Sequence, residues 1–220
     1  MATPNAAPSE RTRVRRLPER ARYDAETLAA IVDAAWIAHV AFTLDGGVHS
    51  IPTAVWREGD HLYIHGAKAS RMLKALTEAE CCVSLALLDG LVLARSAFHH
   101  SMNFRSVVVY GRFELVTDPA HKATALATFT DRVSPGRWAT LRPMTDKEMG
   151  ATTVLRLSLA EASAKVRTGG PKDDDEDLAW PTWAGVLPLS LQAGAPQAEP
   201  DSAVDQPPPL PASLAAPSAG

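Results

Sequence analysis

Between Asp89 and Gly111 the chain reads DGLVLARSAFHHSMNFRSVVVYG, which sets Arg95, Ser96, His99, His100, Ser101, Asn103, Arg105 and Ser106 among strand-like apolar runs at 91–93 and 107–110. Polar groups are costly to bury unless something satisfies them, so this concentration of donors predicts a polar ligand. Arg105 and Ser106 open a run that is apolar thereafter. That places them at a barrel rim, where a cofactor could meet them. The competing assignment pairs Arg95 and Arg105 with acidic neighbours such as Asp89. His99 and His100 are adjacent and therefore point apart, and no Cys, Asp or Glu stands at local ligand spacing. A zinc site is not expected there.

A second block, HGAKASRMLKAL (65–76), puts Lys68, Ser70 and Arg71 where a strand ends and a helix begins. Free N–H groups and the helix dipole at such an end favour a phosphate, and each basic side chain would add a charge-assisted bond of ~1.5–3 kcal/mol. The alternative is an ordinary N-cap with two solvated cations. His65, ending the strand beside this block, reads either as a cofactor contact or as a satisfied core histidine. No G-x-S-x-G elbow supports nucleophilic hydrolysis. KDDDED (172–177) lacks the alternating ligands and turn glycine of a calcium loop, so a solvated loop is expected. Trp180 and Trp183 should dock on the barrel, on a dimer partner or over a flat cofactor.

Elements that could hold these residues follow from periodicity and turn chemistry. Asp24 caps a helix over 25–36, with Leu28, Ile31, Val32, Ala35 and Trp36 on one face. Strands at 37–44, 48–57 and 61–66 are separated by Asp45-Gly46-Gly47 and Glu58-Gly59-Asp60, both hairpin chemistry. A short helix at 70–77 precedes strands at 81–88, 91–97 and 105–117, the last bent at Gly111. Asp118-Pro119 starts a helix to about 133. Thr145 caps a short helix before a final strand at 152–159 that extends into 164–167. Many short strands with few helices predict a mainly β fold, a small β-barrel with flanking helices.

Composition limits the function. With 220 residues, 46% hydrophobic and 21% charged, the chain suits one domain, and its net charge of −3 argues against general nucleic-acid binding. No run approaches the ~18 apolar residues of a membrane span, so no membrane partner is expected. Cys81 and Cys82 are adjacent and would face opposite ways, which excludes a disulfide between them. Arg15-Arg16 is followed by LPERARYD, too charged for an export signal, so the cytoplasm is the expected compartment. Three parts are expected: a basic flexible arm with six arginines over 1–22, a folded domain over 23–189, and a disordered Pro/Ala-rich tail over 190–220.

Taken with SAKVRTGGP and WAGVLP further on, the two blocks resemble the flavin-nucleotide-binding branch of the pyridoxamine 5'-phosphate oxidase-like superfamily, which includes nitroimidazole-resistance reductases. The likeness covers roughly residues 11–190. It implies an FMN-binding split β-barrel acting as a homodimer with a flavin in each subunit interface. On this chain it implies Lys68, Ser70 and Arg71 for the FMN phosphate. Ile51, Pro52 and Thr53 would border the ring, Arg105 and Ser106 would contact the flavin, and Trp183 would lie near the partner's cofactor. The carboxy-terminal arginine-and-tryptophan signature of vitamin B6 oxidation is not matched. Some relatives bind haem or a deazaflavin instead, and His65 suits the haem alternative.

The expected activity is FMN-dependent oxidoreduction, from a reduced nicotinamide to a small organic acceptor of nitroaromatic type. The alternative is a non-catalytic flavin- or haem-binding protein for sensing, storage or detoxification.

Overall fold

The computed structural model describes residues 6–204 and 206–214. In chain order these hold β1 (Ala21–Arg22), α1 (Ala25–Ala34), β2 (Ile37–Leu44), β3 (Gly47–Ala54), β4 (Trp56–Glu58), β5 (His61–Ala67) and α2 (Arg71–Glu78). There follow β6 (Cys81–Leu93), β7 (Ser101–Gly111), β8 (Glu114–Leu115), α3 (Pro119–Val133), α4 (Asp146–Ala151), β9 (Thr152–Ser158), β10 (Ala162–Arg167) and β11 (Gly185–Pro188). All strand pairs are antiparallel. The larger sheet runs β1-β10-β7-β6-β2-β3 with β11 also on β6, and the smaller runs β4-β5-β9-β8. This is the split barrel, mainly β with flanking helices.

Helix starts follow their local signals. Asp24 accepts from Thr27 N–H, Ser70 from Leu73, Asp118 from His121, and Thr145 forms a capping box with Glu148. Asp45 and Gly46 both take positive φ, 51° and 75°, as a two-residue hairpin turn requires.

Strand ends depart from expectation wherever the chain changes sheet. The run 48–57 is two strands: β3 closes the edge of the larger sheet, Val55 N–H donates to Trp36 O, and β4 begins the smaller sheet. The run 105–117 likewise splits into β7 and β8, on different sheets. Gly111 is the corner, with φ 153° and a position where a Cβ would come 2.9 Å from Leu157 Cδ1. Conversely, the two strands expected at 81–88 and 91–97 are one, β6, whose register shifts between Leu88 and Gly90. A bulge at Asp89 accommodates the interruption without ending the strand.

Alternation along β5 divides the core. Leu62 and Ile64 face inward with Leu155, Leu157, Val83 and Val109, while Tyr63 faces outward into a second cluster with Trp56, Val154, Ala125 and Leu126. Thus α3 covers the outside of the smaller sheet. Cys81 is in the inner core and Cys82 is half-buried on the other face; burial pushes the Cys81 thiol up to about 12.

The described parts of both terminal segments contact the rest of the fold. In the basic segment Thr12 is buried, Arg11 pairs with Glu80 and Glu161, and Ala21–Arg22 pairs with β10. Beyond residue 190 regular structure is sparse, yet Ser134 Oγ donates to Pro209 O and Ala193 N–H to Leu214 O. The outer parts of both segments, residues 1–5 and 215–220, lie outside the described residues.

Candidate functional site

The edge of β6 opposite β7 carries two partners, β2 at 82–84 and β11 at 90–93. Gly90 permits the second, since a Cβ there would come 3.0 Å from Leu187 O. Between these partners opens a cleft of about 890 Å³, lined by Trp36, Ile37, His39, Pro52, Leu87, Leu88, Arg105 and Ser106 among others. Its size and its apolar walls with a few polar groups suit a cofactor.

Arg105 stands opposite Leu87 and Ser106 opposite Ala86, so the two side chains leave opposite faces of β7. Arg105 makes a two-point contact with Asp89. These hydrogen bonds hold its pKa above the usual value. Ser106 Oγ donates to Lys165 O at 3.4 Å. Although the side chains of Arg105 and Ser106 diverge, both residues line the cleft together with Pro52. Ile51 and Thr53 alternate with Pro52 and take the other face of the edge strand β3, opposite Val40 and Ala38.

The basic corner before α2 does not line this cleft. Ser70 caps α2, Lys68 N–H donates to Ala151 O, and Arg71 pairs with Asp45 at the β2–β3 turn. Gly66 lets α2 approach, with Leu73 Cδ1 3.1 Å from where a Cβ would stand. A further cation, not marked by the sequence, joins the corner. Lys122 Nζ donates to Met149 O at 2.5 Å and to Thr152 O, and burial together with the charge of Lys68 lowers its pKa. A lone lysine in the first turns of a helix carries no signal of this.

His65 lies away from the cleft, on the side of β5 covered by α3. Its ring stands 4.7 Å from Phe129 and 5.7 Å from Trp56, centroid to centroid. Nδ1 is buried without a hydrogen-bond partner, and burial lowers the pKa. The result is a neutral imidazole with a ring nitrogen unengaged. Such a group is chemically fit to ligate a metal centre.

The block 95–103 is held by the acidic loop, which is not simply solvated. Asp173 accepts from Arg95 N–H at 2.8 Å and from Arg95 Nη1 at 2.7 Å, with a side chain only 2% exposed. His99 Nε2 faces Asp174 Oδ2 at 3.2 Å, and His100 Nδ1 lies 2.8 Å from Ser96 O. Arg95 is thus paired as one sequence alternative held, though with Asp173 rather than Asp89. Among the described residues, buried Arg167 has only neutral acceptors: Asn103 Oδ1 and the Gly169 and Gly170 carbonyls. Trp180 and Trp183 do not dock on the barrel. They are 65% and 60% exposed, with Trp183 folded over Gly185.

Among the described residues no group of three or more His, Cys, Asp and Glu side chains could hold a metal ion, and no helix is long and apolar enough to cross a membrane.

The fold and cleft define a split-barrel protein, and residues 24–166 match the pyridoxamine 5'-phosphate oxidase family. The chain belongs to that family. It is similar to the flavocytochrome Anf3 from Azotobacter vinelandii, at 50% identity and TM-score 0.86, covering 94% of this chain and 96% of that one. It is also similar to an FAD and haem binding protein from Mycobacterium smegmatis, at 41% identity and TM-score 0.80, covering 89% and 95%. No curated protein matches the sequence.

Proposed function

We propose that the protein binds a flavin nucleotide and a haem, and that it moves electrons from a reduced nicotinamide through the flavin to a small acceptor, of which a nitroaromatic is one candidate. The observation that carries this reading is the near full-length similarity to a flavocytochrome and to an FAD and haem binding protein. The second of these favours FAD over FMN or a deazaflavin.

In this reading the cleft receives the flavin ring. Pro52 and Trp36 wall it, Ser106 offers a hydroxyl, and Arg105, preset by Asp89, presents a guanidinium edge. The backbone of 51–53 borders the ring. Lys68, Ser70 and Arg71 take the phosphate, with Lys122 adding charge. These two groups line separate surfaces of one chain, so a homodimer completes the site, with the β5–α2 corner of a second copy meeting the cleft. Exposed Trp183 then covers the cofactor of the other subunit.

His65 is the haem ligand. Its depressed pKa keeps the imidazole unprotonated near neutrality, and Trp56 and Phe129 exclude water from it. When bound, the haem supplies a one-electron centre beside the two-electron flavin.

The test is the absorption spectrum of protein purified without added cofactor, followed by chromatography of the extracted flavin. Flavin bands, a Soret band and released FAD are expected; absence of both chromophores ends the reading. His65→Ala should remove the Soret band and leave the flavin. Anaerobic nicotinamide should bleach the flavin, whereas failure to do so favours a non-catalytic holder. Sedimentation should give the mass of two chains.

A further inference from the structure

We propose that the segment 209–214 is a strap that closes the cofactor cleft and sets how fast a flavin leaves it, an inference that rests on the flavin reading of that cleft.

The cleft of about 890 Å³ takes its walls from distant parts of the chain: residues 34–37 form one, and residues 189–191, just past β11, form another. Each wall is fastened to the barrel. Leu189 N–H donates to Asp89 O at 3.0 Å, which ties the exit of β11 to the residue that holds Arg105. Arg132, near the end of α3, donates to Ala35 O and stands 4.8 Å over the Trp36 ring.

The segment 209–214 joins the two walls. Ser134, the buried C-cap of α3 two residues from Arg132, donates its Oγ to Pro209 O at 2.8 Å. Pro211 is buried beyond it. The chain then turns, with Leu214 N–H donating to Pro211 O at 2.9 Å. This turn brings Ser213 to the cleft, while Leu214 O accepts from Ala193 N–H at 3.2 Å, beside the wall at 189–191.

Proline chemistry makes so few contacts sufficient. Residues 207–211 read PPPLP, and each ring fixes φ, so the free segment has little backbone entropy to lose on docking. Its prolines have no N–H to give a strand ladder, and it docks instead through one carbonyl and one buried ring. The attachment is correspondingly slight. Among the described residues, one side-chain hydrogen bond, one backbone bond to Ala193 and the Pro211 ring hold the segment, so it can open while the barrel stays folded. Opening parts Ser213 from the wall at 189–191. A flavin that touches the strap only when it is closed favours the closed arrangement, and must wait for opening to leave.

The experiment uses the full-length protein, with FAD as the probe. In hydrogen–deuterium exchange the Ala193 and Leu214 amides should be protected, and more strongly once FAD is added. Ser134→Ala should lose that protection and release FAD about 2- to 10-fold faster on dilution, as one lost hydrogen bond implies. A chain ended after Pro208 should release FAD about 10-fold faster or more, because the open state is otherwise a minor one. Both variants should keep the circular dichroism of the wild type. FAD release at the wild-type rate from the shortened chain overturns the strap alone, as does unprotected exchange at Ala193 and Leu214 in the full-length protein. Failure of the full-length protein to take up FAD overturns the flavin reading and the strap with it.

Discussion

The Arg105 guanidinium meets the Asp89 carboxylate at two points, Nε to Oδ2 at 2.9 Å and Nη2 to Oδ1 at 2.7 Å. Asp89 stands at the bulge of β6, so the irregularity that interrupts the ladder also presents the carboxylate to Arg105. Both side chains are about one-third exposed. Solvent screening then limits the pair to about 0–1 kcal/mol of stability. Asp89→Asn should therefore shift the urea midpoint little, whereas Arg105→Ala should lower the flavin-to-protein ratio of the purified protein. Equal flavin content in Arg105→Ala and wild type would remove Arg105 from the site.

Lys68 and Arg71 together should set the salt dependence of flavin retention. Both are exposed in one chain, so each bond is discounted from its full value, and the double alanine variant should weaken flavin binding by about 10- to 100-fold. Equilibrium dialysis at low and moderate salt reads this, and an unchanged dissociation constant would place the phosphate elsewhere.

His65 gives stability a dependence on pH. Its folded pKa is lowered by burial, so below the unfolded value of about 6.5 the unfolded chain binds the extra proton and stability falls with pH. In cofactor-free protein the urea midpoint should drop between about pH 7.5 and about pH 5.5, and His65→Phe should flatten that drop. The same slope in both proteins would assign it to another group.

Asp173 acts in the opposite range. Burial alone would raise its pKa, but the Arg95 N–H and guanidinium outweigh burial and hold it below the usual carboxylate value. Its contribution is present above the unfolded pKa of about 3.9 and is lost as pH falls through the depressed folded value. The 169–178 segment should become sensitive to proteolysis on strong acidification, and Asp173→Asn should show that sensitivity at neutral pH. Equal cleavage of the two proteins at neutral pH would show that Asp173 does not hold this segment.

Gly111→Ala tests the corner between the sheets. The new methyl would meet Leu157 at a backbone angle unsuited to alanine. A loss of roughly 1–3 kcal/mol in denaturant unfolding is expected. No measurable loss would show that the corner relaxes freely.

What could be read from the chain alone was local. Asp24, Ser70, Asp118 and Thr145 mark helix starts because a cap is satisfied within three residues, and Asp45-Gly46 marks a hairpin because the turn's dihedrals select those residue types. The blocks at 65–76 and 89–111 were likewise legible as concentrations of polar residues beside strands, and their resemblance pointed to the right family.

Tertiary structure decided which of those residues meet. A strand's alternation does not say which sheet it will join, so the corners at Val55 and Gly111 were invisible, as were the separate surfaces of the cleft and the basic corner. Arg95 finds Asp173 across 78 positions and Tyr63 finds His121 across 58. Contacts at that separation depend on how sheets and helices pack, and no local propensity encodes them.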